Sequence, residues 1–153
     1  MKPIVDLCSS VTSRYGYERA GSKFLKRASD GNWATIEFQK SSRSTASEVY
    51  FTLNLYVHYR SLEVSEEPDN IAHLRQRIGA LMPGRPDKWW RLADGASIAA
   101  VGVEMSDCLE NYAIPYLDRF LDVNEIIQLW LAGEGPGLTD KQRLMYLGRA
   151  RSP

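Results

Sequence analysis

An α+β fold is predicted: an antiparallel sheet of three to four strands, arranged as a meander, with N-terminal and C-terminal helices packed mainly on one face. Three observations lead there. Strand-like runs come first and helix-like runs later, the order expected of α+β rather than alternating α/β chains. Two runs, Trp33–Lys40 and Val49–Arg60, are strand-like, the second being the longest alternating segment of the chain. Asp30-Gly31 stands between two such runs, a dipeptide suited to a tight hairpin turn.

The second run is the longest alternating segment of the chain. Val49, Phe51, Leu53, Leu55, Val57 and Tyr59 fall on one side, and Tyr50, Thr52, Asn54, Tyr56, His58 and Arg60 on the other. A strand repeats every two residues, so one face of this run is buried and the other shown. In Trp33–Lys40 the apolar side is Ala34, Ile36 and Phe38 and the polar side Thr35, Glu37 and Gln39. Ser22–Ala28 is expected to pair antiparallel with Asn32–Lys40 across the Asp30-Gly31 turn. Ser41–Ser47, nearly free of apolar side chains, reads as an exposed, mobile loop.

Ahead of the sheet, Val5, Cys8, Val11 and Tyr15 recur at steps of three and four, a short amphipathic helix with Pro3 at its start. Beyond it, the acidic Glu63–Asn70 reads as a loop. Ile71–Met82 is predicted helical from Ile71, Leu74, Ile78, Leu81 and Met82, ending at Pro83-Gly84. Lys88–Leu92 offers a fourth short strand, because tryptophan suits a sheet surface. Three further helices are predicted over Ser97–Tyr112, Ala113–Asp122 (restarting at Pro115) and Val123–Ala132. Gly133–Gly137 reads as a flexible linker. Thr139 and Gln142 then form a capping box for a last helix to about Arg149.

The chain has 153 residues, 44% hydrophobic and 25% charged, values of an ordinary globular protein, and residues 1–150 are read as a single domain. Lys+Arg and Asp+Glu are both 19, so the net charge is zero and general nucleic-acid binding is not expected, although a local basic patch is compatible with this balance. Cys8 and Cys108 fit no zinc or redox spacing and read as buried free thiols. Asp6 interrupts the short apolar start, which is no signal peptide, and no run approaches the roughly 20 apolar residues of a membrane span. A cytoplasmic location is expected.

Several stretches resemble a known family. Tyr15-Gly16-Tyr17 with Gly21, Ile36-Glu37-Phe38-Gln39-Lys40-Ser41, Phe51-Thr52-Leu53-Asn54-Leu55, Arg77-Ile78-Gly79 and Trp89-Trp90 occur in the order found in the bacterial domain of unknown function family, number 4304. The resemblance covers roughly residues 5–120. It implies a bacterial, compact α+β protein and carries no activity, cofactor or catalytic residue.

The chemistry of the chain is sparse. His58 and His73 stand in no H-x-H or H-x-x-x-H arrangement, so no zinc site is assigned. His58 is either an acid-base group or a half-exposed strand histidine. Neither Gly21-Ser22 nor Gly95-Ala96-Ser97 forms a nucleophile elbow, and Gly133–Gly137 lacks the lysine and hydroxyl residue of a phosphate loop. Glu104, Asp107 and Glu110 form a carboxylate stripe that also fits a solvated helix face. Arg75 and Arg77, beside His73, suit either an acidic partner or an exposed helix face. No catalytic residue, metal ligand or cofactor is assigned.

What remains is the polar side of the sheet. Gln39, Glu37, Asn54, Tyr56, His58 and Tyr50 gather there, with Arg60 at the end of the long strand and Trp89 and Trp90 on the adjoining short strand, one facing in and one out. Tyrosine, asparagine and glutamine suit adaptable contacts, and exposed tryptophan is enriched at binding hot spots. The reading favoured is a non-enzymatic binding or accessory protein, in one form an immunity-type protein, that meets a protein partner with this face. The alternatives are a small-molecule binder or enzyme with a pocket between sheet and helices, and a homo-oligomer using the long strand or Trp90. The oligomeric state itself is not fixed by the sequence.

Overall fold

A computed structural model of the chain describes residues 1–63 and 72–150. The expected loop Glu63–Asn70 lies almost wholly outside the described residues, as does Ile71. The sheet has six strands: β1 (Glu18–Ala20), β2 (Lys23–Arg27), β3 (Trp33–Lys40), β4 (Val49–His58), β5 (Leu74–Arg77) and β6 (Trp90–Leu92). All pairings are antiparallel, in the order β1-β2-β3-β4-β5, with β6 also on β4. The sheet is thus larger than the three to four strands expected. The Asp30-Gly31 turn joins β2 to β3 as anticipated, with Arg27 opposite Trp33.

Among the described residues five α-helices accompany the sheet: α1 (Lys2–Ser13), α2 (Gly95–Cys108), α3 (Ile114–Phe120), α4 (Val123–Leu131) and α5 (Asp140–Ala150). Helix α1 touches β1, α2 touches β6, and α3 touches β3 and β4. Their buried side chains, among them Ile4, Cys8, Met105, Cys108 and Leu117, meet the inward set Phe24, Ile36, Phe51, Leu53 and Leu55 from the strands. Between α2 and α3 the chain stays helical through a π turn, Leu109–Ala113, where Ile114 N–H donates to Leu109 O. Proline lacks an N–H and crowds the carbonyl four residues back, and the wider turn just ahead of Pro115 accommodates that.

The predicted helix over Ile71–Met82 is corrected. Leu74–Arg77 is strand β5, and Ile78–Leu81 is a short 3-10 turn. β4 is the longest strand, and its second edge needs partners for its backbone groups. β5 pairs with Asn54–Val57 and β6 with Val49–Phe51, so two short strands complete that edge in succession. The excursion between them folds back tightly: a Cβ on Gly79 would sit 2.0 Å from the Pro86 carbonyl oxygen.

Gly133–Gly137 is not a free linker either. Arg75 N–H donates to Pro136 O at 3.1 Å, and the Arg75 guanidinium donates to Gly137 O. The segment therefore covers the outer edge of β5, a common way of protecting an exposed strand. The Thr139–Gln142 capping box forms, with Gln142 Oε1 accepting from Thr139 N–H at 3.0 Å.

Candidate functional site

Because α1, α2 and α3 pack on the inward face, the residues of opposite parity point away from them. Strand register sorts these into rows across the sheet. Arg27, Trp33 and His58 form one row, Leu25, Thr35, Tyr56 and Arg75 the next, and Lys23, Glu37, Asn54 and Arg77 the third. Farther along β4, Gln39 lies opposite Thr52, and Tyr50 opposite Arg91.

A concavity of about 590 Å³ opens here, lined in part by Lys23, Trp33, Glu37, Tyr56, His58 and Arg75. A second of about 420 Å³, bordered by Gln39, Asn54, Arg77 and Gly137, shares Tyr56 and Arg75 with it. The two make one trough along the face.

Within the trough several polar groups are partnered with one another. Glu37 accepts from the Tyr56 hydroxyl at 3.0 Å and lies 2.9 Å from the Lys23 ammonium. Asn54 donates to Gln39 Oε1 at 2.7 Å. Burial, then the hydrogen bond to Glu37, pushes the Tyr56 hydroxyl up to about 12. His58 stacks on Trp33 with ring centres 4.5 Å apart and planes 5° from parallel. Burial, followed by the neighbouring His73 and Lys23, pushes His58 down to about 4.

The far end of the face is built from arginines and rings. Arg43 lies over the Tyr50 ring at 4.3 Å and 5.7 Å from the Trp89 ring, and Arg77 stands 5.3 Å from Trp89 on the same ring system. Trp89 Nε1 donates to Asp87 at 3.2 Å.

Of the residues singled out from the sequence, Gln39, Asn54, Tyr56 and His58 share this face, and Trp89 joins them at its end. Trp90 and Arg60 do not. Trp90 is 2% exposed and stacks on Phe51 at 5.6 Å in the inward layer. Arg60 follows the end of β4, in a 3-10 turn, with its stem against Gly31. Lys23, Trp33 and Arg75 were not picked out as members of this face. The hairpin register implied by Asp30-Gly31 would have found Lys23, since it sets it opposite Glu37, and the period of β3 alone puts Trp33 on the side of Thr35 and Glu37. Arg75 was hidden by the helical reading of its segment.

Among the described residues no group of three or more His, Cys, Asp or Glu is placed to hold a metal ion. No described helix is long and apolar enough to cross a membrane. The family described as "Domain of unknown function (DUF4304)" matches residues 10–119. The chain belongs to this family. The DUF4304 match contains all six strands and therefore both ends of the trough, whereas α4, α5 and the segment covering β5 lie beyond it. No curated protein and no solved structure matches the chain.

Proposed function

We propose that this DUF4304 protein is a binding or accessory protein that takes its partner on the open face of the sheet. The observation that carries this reading is the continuous trough through Tyr56 and Arg75, on the side of the sheet opposite α1, α2 and α3. Gln39, Asn54, Tyr56, His58 and Trp89 are its contact residues, with Trp90 and Arg60 supporting the sheet around them. Burial pushes His58 down and Tyr56 up, so neither is poised as a general base near neutral pH. Two unpaired thiols suit a reducing compartment such as the bacterial cytoplasm.

The test is cross-linked co-purification from native lysate, comparing the natural chain with a Tyr56→Ala/Asn54→Ala variant. Selective loss of one partner in the variant supports the reading. Equal recovery by both chains, or no specific partner for either, overturns it.

The concavity of about 590 Å³, on the open face rather than between sheet and helices as expected, favours a second reading as a small-molecule binder, since pockets for small ligands span roughly 300–1,000 Å³. A metabolite and nucleotide thermal-shift screen decides it. A ligand at about 100 times its Kd stabilises by roughly 2.7 kcal/mol, and a flat response across the screen removes this alternative.

A further inference from the structure

The basic residues of the open face divide into two kinds. Lys23, Arg77 and Arg91 are matched by Glu37, Asp87 and Glu48. Arg27, Arg43 and Arg75 form no ion pair among the described residues. Glu18, at the β1 edge opposite Leu25, is the described acid of this face outside those pairs. A chain of zero net charge thus keeps three exposed guanidinium groups without an ion-pair partner among the described residues on one side of its sheet, of which Arg43 also feels the charge of Asp87.

Each of the three is held in place by a neighbour. Arg27 lies 5.7 Å over the Trp33 ring and Arg43 4.3 Å over the Tyr50 ring. Arg75 is anchored by the Gly137 carbonyl and borders both halves of the trough. A guanidinium laid against an aromatic ring keeps its in-plane N–H donors free, in the fork that matches a carboxylate. Holding the side chain beforehand lowers the ordering cost of binding.

The three are spread along β4, Arg27 in the row of His58, Arg75 opposite Tyr56 and Arg43 on Tyr50. From His58 to Tyr50 is about 27 Å at roughly 3.4 Å per residue, the reach of an extended segment of about eight residues. Single-stranded nucleic acid would need bare ring faces for its bases. Here Trp33 carries His58 at 4.5 Å, Tyr50 carries Arg43, and Trp89 has Arg43 and Arg77 within 5.7 and 5.3 Å.

We infer that the open face binds an acidic protein segment whose Asp and Glu carboxylates are forked by Arg27, Arg43 and Arg75. This rests on the proposal that the face is a binding surface, and it assigns the chemistry of the partner.

The experiment is fluorescence anisotropy of the full chain with a dye-labelled peptide of about eight glutamates, alongside oligothymidylate and oligolysine of matched length. The glutamate peptide is expected to bind saturably and to weaken with added salt. Replacing Arg27, Arg43 and Arg75 together by Gln is expected to weaken it about tenfold or more, at two or more lost charge-assisted bonds. Arg43→Lys, which keeps the charge but not the fork, is expected to weaken it too. Arg119→Gln, on α3, leaves it unchanged. Circular dichroism and the Tm of each variant show that the fold is retained, as expected for exposed side chains. Tighter binding of oligothymidylate, no saturation with glutamate, or full affinity in the triple variant overturns the inference. If the lysate experiment still recovers a partner through Tyr56 and Asn54, the wider reading stands and only the acidic chemistry fails.

Discussion

Lys26 points its ammonium into the helix layer and holds both carboxylate oxygens of Asp118, on α3, at 2.9 Å. The register of β2, with Lys26 opposite Ala34, puts it on the same face as Phe24. The Tyr17 hydroxyl donates to the same carboxylate at 3.1 Å, and burial together with Asp118 raises the Tyr17 pKa. Asp118 therefore ties β2 and the turn after α1 to α3. Asp118→Asn is expected to lower stability by about 1–2 kcal/mol, toward the low end for a bond to a charged group because the pair is partly exposed. A urea double-mutant cycle with Lys26→Met is expected to show coupling of about 0.5–3 kcal/mol. Additive single effects would mean that the pair contributes nothing of its own.

His73 carries a pH-dependent part of the stability. Its Nδ1 accepts from the Tyr59 backbone N–H at 3.1 Å, its ring meets Tyr146 edge-on at 4.7 Å, and it is 2% exposed. Burial outweighs the hydrogen bond to the Leu62 carbonyl and pushes it down to about 4. The unfolded chain, with a histidine near 6.5, takes up the proton first. Stability is therefore complete above about pH 6.5 and falls as the pH drops toward about 4, by roughly 3 kcal/mol at most for this group. His58 acts in the same direction. The urea midpoint is expected to fall between pH 7 and 5. His73→Phe is expected to be less stable at pH 7, with the Tyr59 N–H unpaired, and to show a shallower fall. A natural chain with a flat midpoint from pH 7 to 5 would contradict this.

Asn32 locks the β2–β3 turn to two distant segments. Its amide donates to Asp30 at 2.8 Å and to Leu121 O at 3.1 Å, and its Oδ1 accepts from Arg60 N–H at 3.1 Å. Asn32→Ala leaves the Leu121 carbonyl and the Arg60 N–H without this partner. A loss of about 2–3 kcal/mol is expected in urea unfolding, with the β2–β3 register retained. A change under about 0.5 kcal/mol would place this residue among ordinary surface positions.

The elements legible from sequence are those whose signal is local. Val49–His58 and Trp33–Lys40 alternate, Asp30-Gly31 makes the turn, and the Thr139–Gln142 cap forms. β5 was not legible, because Leu74, Ile78 and Leu81 also fit a helical stripe and the unpaired edge of β4 is not written in that segment. The site divides in the same way. Asn54, Tyr56 and His58 follow from the period of one strand and Trp33 from that of the next, whereas Lys23 and Arg75 join them only through pairing. Lys26 and Lys23 are three residues apart on one strand and serve opposite faces, which composition does not reveal.

Gly137 is where the C-terminal segment meets the site. It has φ +74°, and a Cβ there would stand 2.5 Å from Arg75 Cβ and 2.7 Å from Arg75 O. A side chain is excluded both by the left-handed backbone and by the close approach of β5. The same residue supplies the carbonyl that anchors the Arg75 guanidinium. Gly137→Ala is therefore expected to lift the segment from the strand edge, at a cost of about 1–3 kcal/mol. The Arg75 amide, which donates to Pro136 O, reports this directly. Its hydrogen exchange is expected to speed up while amides in the centre of β4 stay protected. Gly148→Ala, at a position where a Cβ meets open space, serves as the control and is expected to leave Arg75 exchange unchanged. Unaltered Arg75 exchange in Gly137→Ala would show that the loop does not hold this edge. Acceleration would show that the segment between α4 and α5, outside the DUF4304 match, helps to position Arg75 in the trough.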